Sequence, residues 1–137
     1  MKNILITGGA GLVGSVLTKG LKDKFNISIL DIKKVDGVDS HTGDISNVDS
    51  IMPAFKGIDT VVHLAGDRRV HGDWDSILNN NIIGLYNIYE AARLSGVKRV
   101  VFASSQHATG GFYDVEPYSF IEKGEYEKLP KDYKPLD

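Results

Sequence analysis

The sequence predicts an α/β protein built on a doubly wound parallel sheet, and two observations predict it. Short apolar runs of strand length alternate along the chain with segments whose apolar residues recur at helical spacing. Glycines and polar turn residues separate the two kinds of segment. Because parallel strands need crossover connections, this alternation implies helices on both faces of the sheet.

The first part of the chain supplies a strand, a helix and a second strand. Residues 2–7 contain the continuous apolar run 4–6, which indicates a buried strand, and residues 26–30 indicate a second strand that ends beside Asp31. Between them, apolar residues at helical spacing predict one apolar helix face: Leu12, Val13, Val16, Leu17 and Leu21.

The next part continues the alternation. Residues 46–55 predict a short helix and residues 60–65 a buried strand. A long helical pattern covers residues 73–95 and is closed by Gly96, which can adopt the left-handed cap conformation. Residues 99–105 predict a further strand, so we expect a sheet truncated after about five strands.

The character of the sequence changes near residue 110. Residues 111–137 contain scattered aromatic residues, three prolines and many charges, which is typical of loop with one helical turn. We therefore expect one α/β domain over residues 1–110 and an irregular tail over residues 111–137.

The composition of the chain argues against several kinds of partner and ligand. The net charge of −2 gives no electrostatic reason to expect nucleic acid or an anionic membrane as partner. The chain has no cysteine and no pattern of a signal peptide, which favours a soluble cytoplasmic protein. The four histidines lack the spacing of metal ligands, so we expect no metal site.

A glycine-rich turn lies where the first strand passes into the first helix. Gly8, Gly11 and Gly14 are spaced Gly-x-x-Gly-x-x-Gly, one residue longer than the common fingerprint between the first pair. Free amides at a helix N-terminus, here beginning with Leu12 and Val13, attract anions, and glycine lets the backbone approach a diphosphate. The turn therefore predicts a dinucleotide site.

An acid at the end of the second strand supports this interpretation. Asp31 can accept hydrogen bonds from ribose hydroxyls, and Ile32 follows it in the same site. A carboxylate there repels a 2′-phosphate, which favours NAD over NADP as cofactor. Lys33 and Lys34 leave the opposite preference open, since a cation could accommodate that phosphate.

Five motifs together resemble a known family. They are TGGAGLVG (7–14), GDI (43–45), HLAG (63–66), NNNIIGLYN (79–87) and VFASS (101–105). In this order they are similar to the extended short-chain dehydrogenase/reductases, the group of NAD-dependent epimerases, dehydratases and sugar dehydrogenases. The resemblance covers residues 1 to about 110 and implies a Rossmann fold.

The resemblance also implies roles for individual residues. Ser105 matches the catalytic serine, whose hydroxyl holds the substrate oxygen that undergoes hydride chemistry. The remaining matches imply contacts with the cofactor: Asp44 and Ile45 beside the adenine, Leu64, Ala65 and Gly66 on the adenosine and ribose side, Asn81 from the long helix, and Ala103 and Ser104 near the end of the last strand.

Within the family, the chain looks most similar to the uronate and NAD-dependent sugar dehydrogenases. This implies that Gln106 and His107 contact a sugar or sugar-acid substrate. Arg68 and Arg69 follow the HLAG strand at the same rim and could clamp a carboxylate or phosphate. A solvated pair of loop charges explains these arginines equally well, and we retain Arg68 as a substrate residue.

One motif of the family is not found in the chain. None of its tyrosines has a lysine four residues later, as the family's Tyr-x-x-x-Lys requires for proton transfer. We therefore expect the N-terminal part of an NAD-dependent sugar or uronate dehydrogenase that is inactive alone. The alternatives are a nucleotide-sugar epimerase or dehydratase and a non-catalytic dinucleotide-binding module. A homodimer is one expected assembly, because residues 99–105 would present an open apolar edge.

Overall fold

The computed structural model describes residues 1–69, 71–105 and 115–132, which form two compact units. The first unit is Met1–Ala103, and the second begins at Ser104. The division expected near residue 110 stays a prediction about domains, since compactness alone does not define one.

The first unit contains a five-stranded parallel sheet. Its strands are β1 (Asn3–Thr7), β2 (Asn26–Asp31), β3 (Asp39–Thr42), β4 (Thr60–His63) and β5 (Arg99–Phe102). They are arranged in the order β3-β2-β1-β4-β5, and every neighbouring pair is parallel. The predicted doubly wound α/β fold of Rossmann type is therefore confirmed, with β1 at the centre of the sheet.

Helical segments connect these strands. They are α1 (Leu12–Leu21), α2 (Val48–Ile51) with a 3₁₀ turn (Met52–Phe55), α3 (Trp74–Ile77), a π-helical segment (Leu78–Ile83) and α4 (Gly84–Leu94). The side chain of Asp73 caps α3 by accepting a hydrogen bond from the Ser76 amide at 2.8 Å. Gly96 takes a positive φ of 71° after α4, as its position in the sequence predicts.

The main core lies on the face of the sheet that α2 and α4 cover. Leu5, Leu30 and Val61 project from the central strands and pack against the buried side of the helices. That side is formed by Ile51, Ala54, Phe55, Ile88, Ala91 and Ala92. Burial of this apolar surface fixes α4 on the sheet and so positions the residues at its N-terminal end.

Helix α1 departs from the predicted pattern. Its buried face is formed by Gly14 together with the half-buried Leu17 and Leu21. The expectation that Leu12, Val13 and Val16 belong to that face was wrong, because they are 78%, 57% and 62% exposed. Glycine at position 14 packs its backbone, without an apolar side chain, against the turn at Gly8 and Gly9, and the periodicity of apolar residues gives no signal for such a contact.

The strands also differ from the prediction. β3 has the sequence DSHT and no apolar residue, so periodicity gave no signal for it. β4 and β5 end at His63 and Phe102, earlier than the predicted ends at residues 65 and 105. Residues that follow the two strands leave the ladder, although the Leu64 amide still donates to the Thr7 carbonyl at 3.1 Å.

The second unit is small in the part that the structure describes. It contains α5 (Tyr118–Glu122) and a 3₁₀ turn (Tyr126–Lys128). The irregular tail expected over residues 111–137 stays a prediction. Within the described ranges, no helix of the chain is both long enough and apolar enough to cross a membrane.

Candidate functional site

The glycine-rich turn joins the C-terminal end of β1 to α1, and its backbone leaves no room for side chains. Gly8 has a positive φ of 71°, and a Cβ on it would lie 2.8 Å from the Ala65 nitrogen. A Cβ on Gly14 would lie 2.5 Å from the Gly8 carbonyl oxygen. The first glycine therefore makes the turn, and the third permits close packing of the helix on it.

The N-terminus of α1 is open. Gly11 is the N-cap residue and has extended backbone angles, and within the described residues no side chain caps the helix. The next two residues, Leu12 and Val13, are exposed. The amides of the first turn therefore remain available to an anion, whose charge the helix dipole also favours.

Asp31 lies beside this open helix end. One carboxylate oxygen, Oδ2, accepts a hydrogen bond from the Ala10 amide at 2.9 Å, and Oδ1 accepts one from the Lys33 amide at 3.1 Å. The side chains of Ile32, Lys33 and Lys34 are exposed. The sequence-predicted acid is thus held against the glycine turn, with negative charge at its mouth.

Two buried polar residues support the turn, one at the end of β1 and one at the end of the neighbouring strand β4. Thr7 Oγ1 lies 2.6 Å from His63 Nδ1, and both side chains are fully buried. The His63 ring stacks on Phe102 at 5.5 Å. Burial lowers the pKa of His63 from 6.5 to about 4, because the charged imidazolium would lose its hydration. Sequence reasoning missed both residues as support for the site.

The loop after β3 is fixed by α4. Ile45 is buried and contacts the helix where Gly84 leaves space, since a Cβ there would lie 2.7 Å from its Cδ1. The Asn87 side chain donates to the Ile45 carbonyl at 2.8 Å. Asp44 remains exposed and accepts a hydrogen bond from the Ser46 amide. Of the two predicted adenine contacts, only Asp44 therefore has an exposed side chain.

The loop after β4 is held by Asn81 of the π-helical segment. Asn81 Oδ1 accepts a hydrogen bond from the Asp67 amide at 2.6 Å, and its Nδ2 donates to the Asp67 carbonyl at 2.8 Å. A Cβ on Gly66 would lie 3.0 Å from the same Oδ1. The side chain of Asn81 thus fixes the backbone of the predicted site residues around Gly66.

The two arginines of this loop have different surroundings. Arg69 Nε donates to both carboxylate oxygens of Asp67, at 2.9 and 3.0 Å, and its NH2 group pairs with Asp73 at 3.3 Å. Hydrogen bonds from Arg69 and then Ser76 hold the pKa of Asp67 far below its usual range. Both arginines are exposed, but Arg69 is paired within the loop, whereas no salt bridge is seen for Arg68 among the described residues.

The remaining predicted residues follow β5. Ala103 belongs to the first unit, and its amide donates to the His63 carbonyl at 3.1 Å. Ser104 and Ser105 are exposed and belong to the second unit. Gln106 and His107 lie outside the described residues. Among those that are described, no group of three His, Asp or Glu residues could hold a metal ion.

A comparison with protein families decides the membership of the chain. The NAD dependent epimerase/dehydratase family matches residues 4–133, which is most of the sequence. The chain belongs to this family. The similarity to extended short-chain dehydrogenase/reductases inferred from the motifs is thereby confirmed.

Several curated relatives of the chain are sugar dehydrogenases. The chain is 39% identical over 107 residues to an L-arabinose 1-dehydrogenase (NAD(P)(+)) of Haloferax volcanii, covering 78% of this chain and 42% of that protein. It is 36% identical over 140 residues to a uronate dehydrogenase of Pseudomonas syringae pv. tomato, covering 95% and 50%. The chain thus spans about half the length of these relatives or less.

Solved structures give the same picture. A mutant of the uronate dehydrogenase from Agrobacterium tumefaciens, complexed with NAD, superimposes with a TM-score of 0.71 at 38% identity, covering 78% of this chain and 42% of that one. A UDP-galactose 4-epimerase superimposes with a TM-score of 0.73 at 30% identity, covering 84% and 41%. Family members with both kinds of chemistry therefore share this fold.

Proposed function

We propose that the chain forms the NAD-binding part of an NAD-dependent dehydrogenase that oxidises a sugar or a uronate. The observation that carries the proposal is the uncapped N-terminus of α1 beside Asp31, reached through a turn in which Gly8 and Gly14 have no room for a Cβ. Such a cradle fits a diphosphate and an adjoining ribose, and few other ligands need both.

The residues divide the binding of the cofactor between them. Backbone amides in the first turn of α1, at Leu12 and Val13, would hold the diphosphate, and Asp31 would accept hydrogen bonds from the adenosine ribose. Asp44 would lie at the adenine, and the backbone at Leu64 and Gly66 would line the ribose side. NAD, when bound, supplies the acceptor for the hydride that leaves the substrate.

For the substrate, we propose that Arg68 recognises an anionic group on a sugar. Arg68 is exposed and no salt bridge is seen for it in the described chain, whereas Arg69 pairs with Asp67 and Asp73. A guanidinium forms paired hydrogen bonds with a carboxylate, so a uronate suits this position. Ser105 would hold the reacting oxygen of the substrate, and Gln106 and His107 are proposed as further substrate contacts by the resemblance alone.

Dehydrogenation is proposed in preference to epimerisation because of the degree of similarity. The sugar dehydrogenases named above are 36–39% identical to the chain, compared with 29% for a bifunctional UDP-glucose and UDP-xylose 4-epimerase of Pisum sativum. An epimerase must also bind the nucleotide of its nucleotide-sugar substrate. The candidate residues described here provide one nucleotide cradle.

The chain without further residues should turn over substrate negligibly. It has no tyrosine followed at the fourth position by lysine, so it lacks the family's proton-transfer group. Loss of such a group alone costs about 10²- to 10⁴-fold in rate. Measurable reduction of NAD by the 137-residue chain with uronates or aldoses would contradict this part of the proposal.

We further propose a cytoplasmic protein that forms homodimers and does not bind nucleic acid. The absence of cysteine and the slightly negative net charge support the location and the lack of a nucleic-acid partner. Ile82, Tyr86 and Tyr89 are 51%, 68% and 46% exposed along the long helix, which supports association. Sedimentation as a monomer at micromolar concentration would contradict the homodimer.

The proposed cofactor is tested by calorimetric titration of the chain with NAD and with NADP under identical conditions. Saturable binding of NAD, with weaker binding of NADP, is the expected result. Failure of both dinucleotides to bind would overturn the proposal. A fifty-fold preference for NADP would overturn the role given to Asp31, since that preference corresponds to about 2.3 kcal/mol in the wrong direction.

A further inference from the structure

Three residues form a row across the sheet beneath the candidate site. Thr7, His63 and Phe102 are direct register partners on β1, β4 and β5, at the C-terminal end of each strand. Thr7 and His63 are buried, and the His63 ring lies nearly parallel to that of Phe102, at an interplanar angle of 22°. The row borders both the glycine turn and the residues that follow β4.

The hydrogen bonds of the Thr7 hydroxyl determine whether it donates its proton to His63 Nδ1 or accepts one from it. Oγ1 lies 3.3 Å from the Leu64 amide nitrogen, 3.3 Å from the Ala65 amide nitrogen and 2.6 Å from His63 Nδ1. The two amides can only donate, so the hydroxyl oxygen is the acceptor in both contacts, and it shares the Leu64 amide with the Thr7 carbonyl. The hydroxyl proton must then go to His63 Nδ1, which therefore carries no proton itself.

We infer that His63 is a positioning residue for the cofactor site: its Nδ1 accepts the Thr7 hydroxyl proton, so that the oxygen holds the amides of Leu64 and Ala65 against the glycine turn. The imidazole is then neutral and carries its proton on Nε2. The functional part of this inference rests on the proposed binding of NAD. The tautomer of His63 and its hydrogen bond with Thr7 are inferred independently of NAD binding.

The geometry of Gly8 explains why this matters to the site. A Cβ on Gly8 would lie 2.8 Å from the Ala65 nitrogen and 2.9 Å from the Ala65 Cα, so the turn touches the backbone after β4. The Leu64 amide also donates to the Thr7 carbonyl at 3.1 Å. No second acceptor is seen for the Ala65 amide in the described chain, so its position depends on the Thr7 hydroxyl.

Variants at Thr7 and His63 can distinguish the effect of their hydrogen bond from the effect of side-chain packing. Thr7→Val has almost the same shape but removes the hydroxyl, whereas Thr7→Ser keeps the hydroxyl and removes a methyl group. His63→Phe keeps a ring to stack on Phe102 but removes the acceptor. If only packing mattered, Thr7→Val would be the milder change at Thr7. If the hydrogen bonds matter, Thr7→Ser is the milder change.

The first test requires no cofactor. Nitrogen-15 NMR of the histidine side chains should show the His63 Nδ1 unprotonated and the Nε2 protonated in the wild-type chain at neutral pH. Exchange of the Ala65 amide with solvent should be about tenfold faster in Thr7→Val than in Thr7→Ser. A protonated Nδ1, or equal exchange rates in the two variants, would overturn the inference.

The second test measures affinity for NAD by calorimetry, alongside urea unfolding of each variant. Affinity should fall about tenfold in Thr7→Val and in His63→Phe and stay within about threefold in Thr7→Ser. The double variant Thr7→Val/His63→Phe should bind no more weakly than either single variant, because both remove one interaction. Wild-type affinity in Thr7→Val would overturn the positioning role. Absence of NAD binding by the wild-type chain would instead refute the proposed function, and the NMR test alone would then decide the tautomer.

Discussion

The Ala10 amide donates a hydrogen bond to Asp31 Oδ2 at 2.9 Å, so the acid at the end of β2 is tied directly to the turn after β1. These residues are 21 positions apart in the chain and come together because β1 and β2 are parallel neighbours. The contact aligns a carboxylate with the open end of α1. A ligand at this helix end therefore meets backbone donors and an acceptor side chain together.

Removing the charge of Asp31 should change the choice of dinucleotide. Asp31→Asn keeps an oxygen for the Ala10 amide but removes the repulsion of a 2′-phosphate. The ratio of NADP affinity to NAD affinity should rise about tenfold or more, as measured by parallel calorimetric titrations. An unchanged ratio would show that Asp31 does not face the adenosine ribose. Asp36→Asn, in the exposed loop after β2, is the matched control.

Two glycines of the same helix should respond in opposite ways to alanine. Gly14→Ala forces a Cβ within 2.5 Å of the Gly8 oxygen, so it should destabilise the chain by about 1–3 kcal/mol and weaken NAD binding. Gly20→Ala meets nothing within 4 Å and should stabilise it by about 0.5–1 kcal/mol with NAD binding unchanged. Urea unfolding and titration check both. Equal behaviour of the two variants would refute the close packing at Gly14.

The folded chain should become less stable as pH is lowered, because His63 is buried in its neutral form. Its pKa is lowered from 6.5 to about 4 in the folded chain, so between these values the unfolded state binds more protons. The free energy of unfolding should therefore decrease as pH falls through this window, by up to about 1.4 kcal/mol per pH unit, with no further contribution below pH 4. His63→Phe should lack this component when both chains are unfolded in urea across the window. Parallel pH profiles for the two chains would contradict it.

The amide of Asn81 should stabilise the loop after β4. Asn81→Ala leaves the Asp67 amide and carbonyl without their side-chain partner, which should cost about 1–3 kcal/mol of unfolding free energy. Asn79→Ala, two residues earlier and exposed, should change it by less than about 0.5 kcal/mol. Denaturant unfolding measures both values. If the two variants lose the same stability, the paired hydrogen bonds contribute nothing beyond helix propensity.

The sequence was sufficient to predict four of the five strands and their parallel arrangement, because most of the strands are apolar. β1, β2 and β4 are buried on both faces or nearly so, and their apolar runs identify them directly. β3 was missed because a polar edge strand depends on its hydrogen bonds to β2 and not on hydrophobic burial. The pairing of β3 with Ser28–Asp31 forms only in the folded chain, so the local sequence does not reveal it.

The parts of the site that could be predicted are those that depend on backbone and charge. The roles of Gly8 and Gly14 follow from the turn that they form, and the position of Asp31 follows from its place at a strand end. Asn81 could be identified by similarity, but its hydrogen bonds to Asp67 join residues 14 positions apart through a loop. The Thr7 and His63 pair depends on the register of β1 and β4, which no local pattern encodes.

The π-helical segment Leu78–Ile83 has a consequence for how tolerant the long helix is to changes in length. A π turn holds one more residue than an α turn, and each residue of an α-helix corresponds to a rotation of about 100°. If these six residues formed an unbroken α-helix instead, Trp74–Ile77 would be rotated by about that angle about the helix axis relative to Ile88. Ser76 would then face away from Asp67, so the helix would gain regularity while the loop lost its anchor. Deleting one residue of the π-helical segment would permit a regular α-helix without this rotation. The segment is therefore the place where the long helix can lose a residue while Ser76 keeps its contact with Asp67.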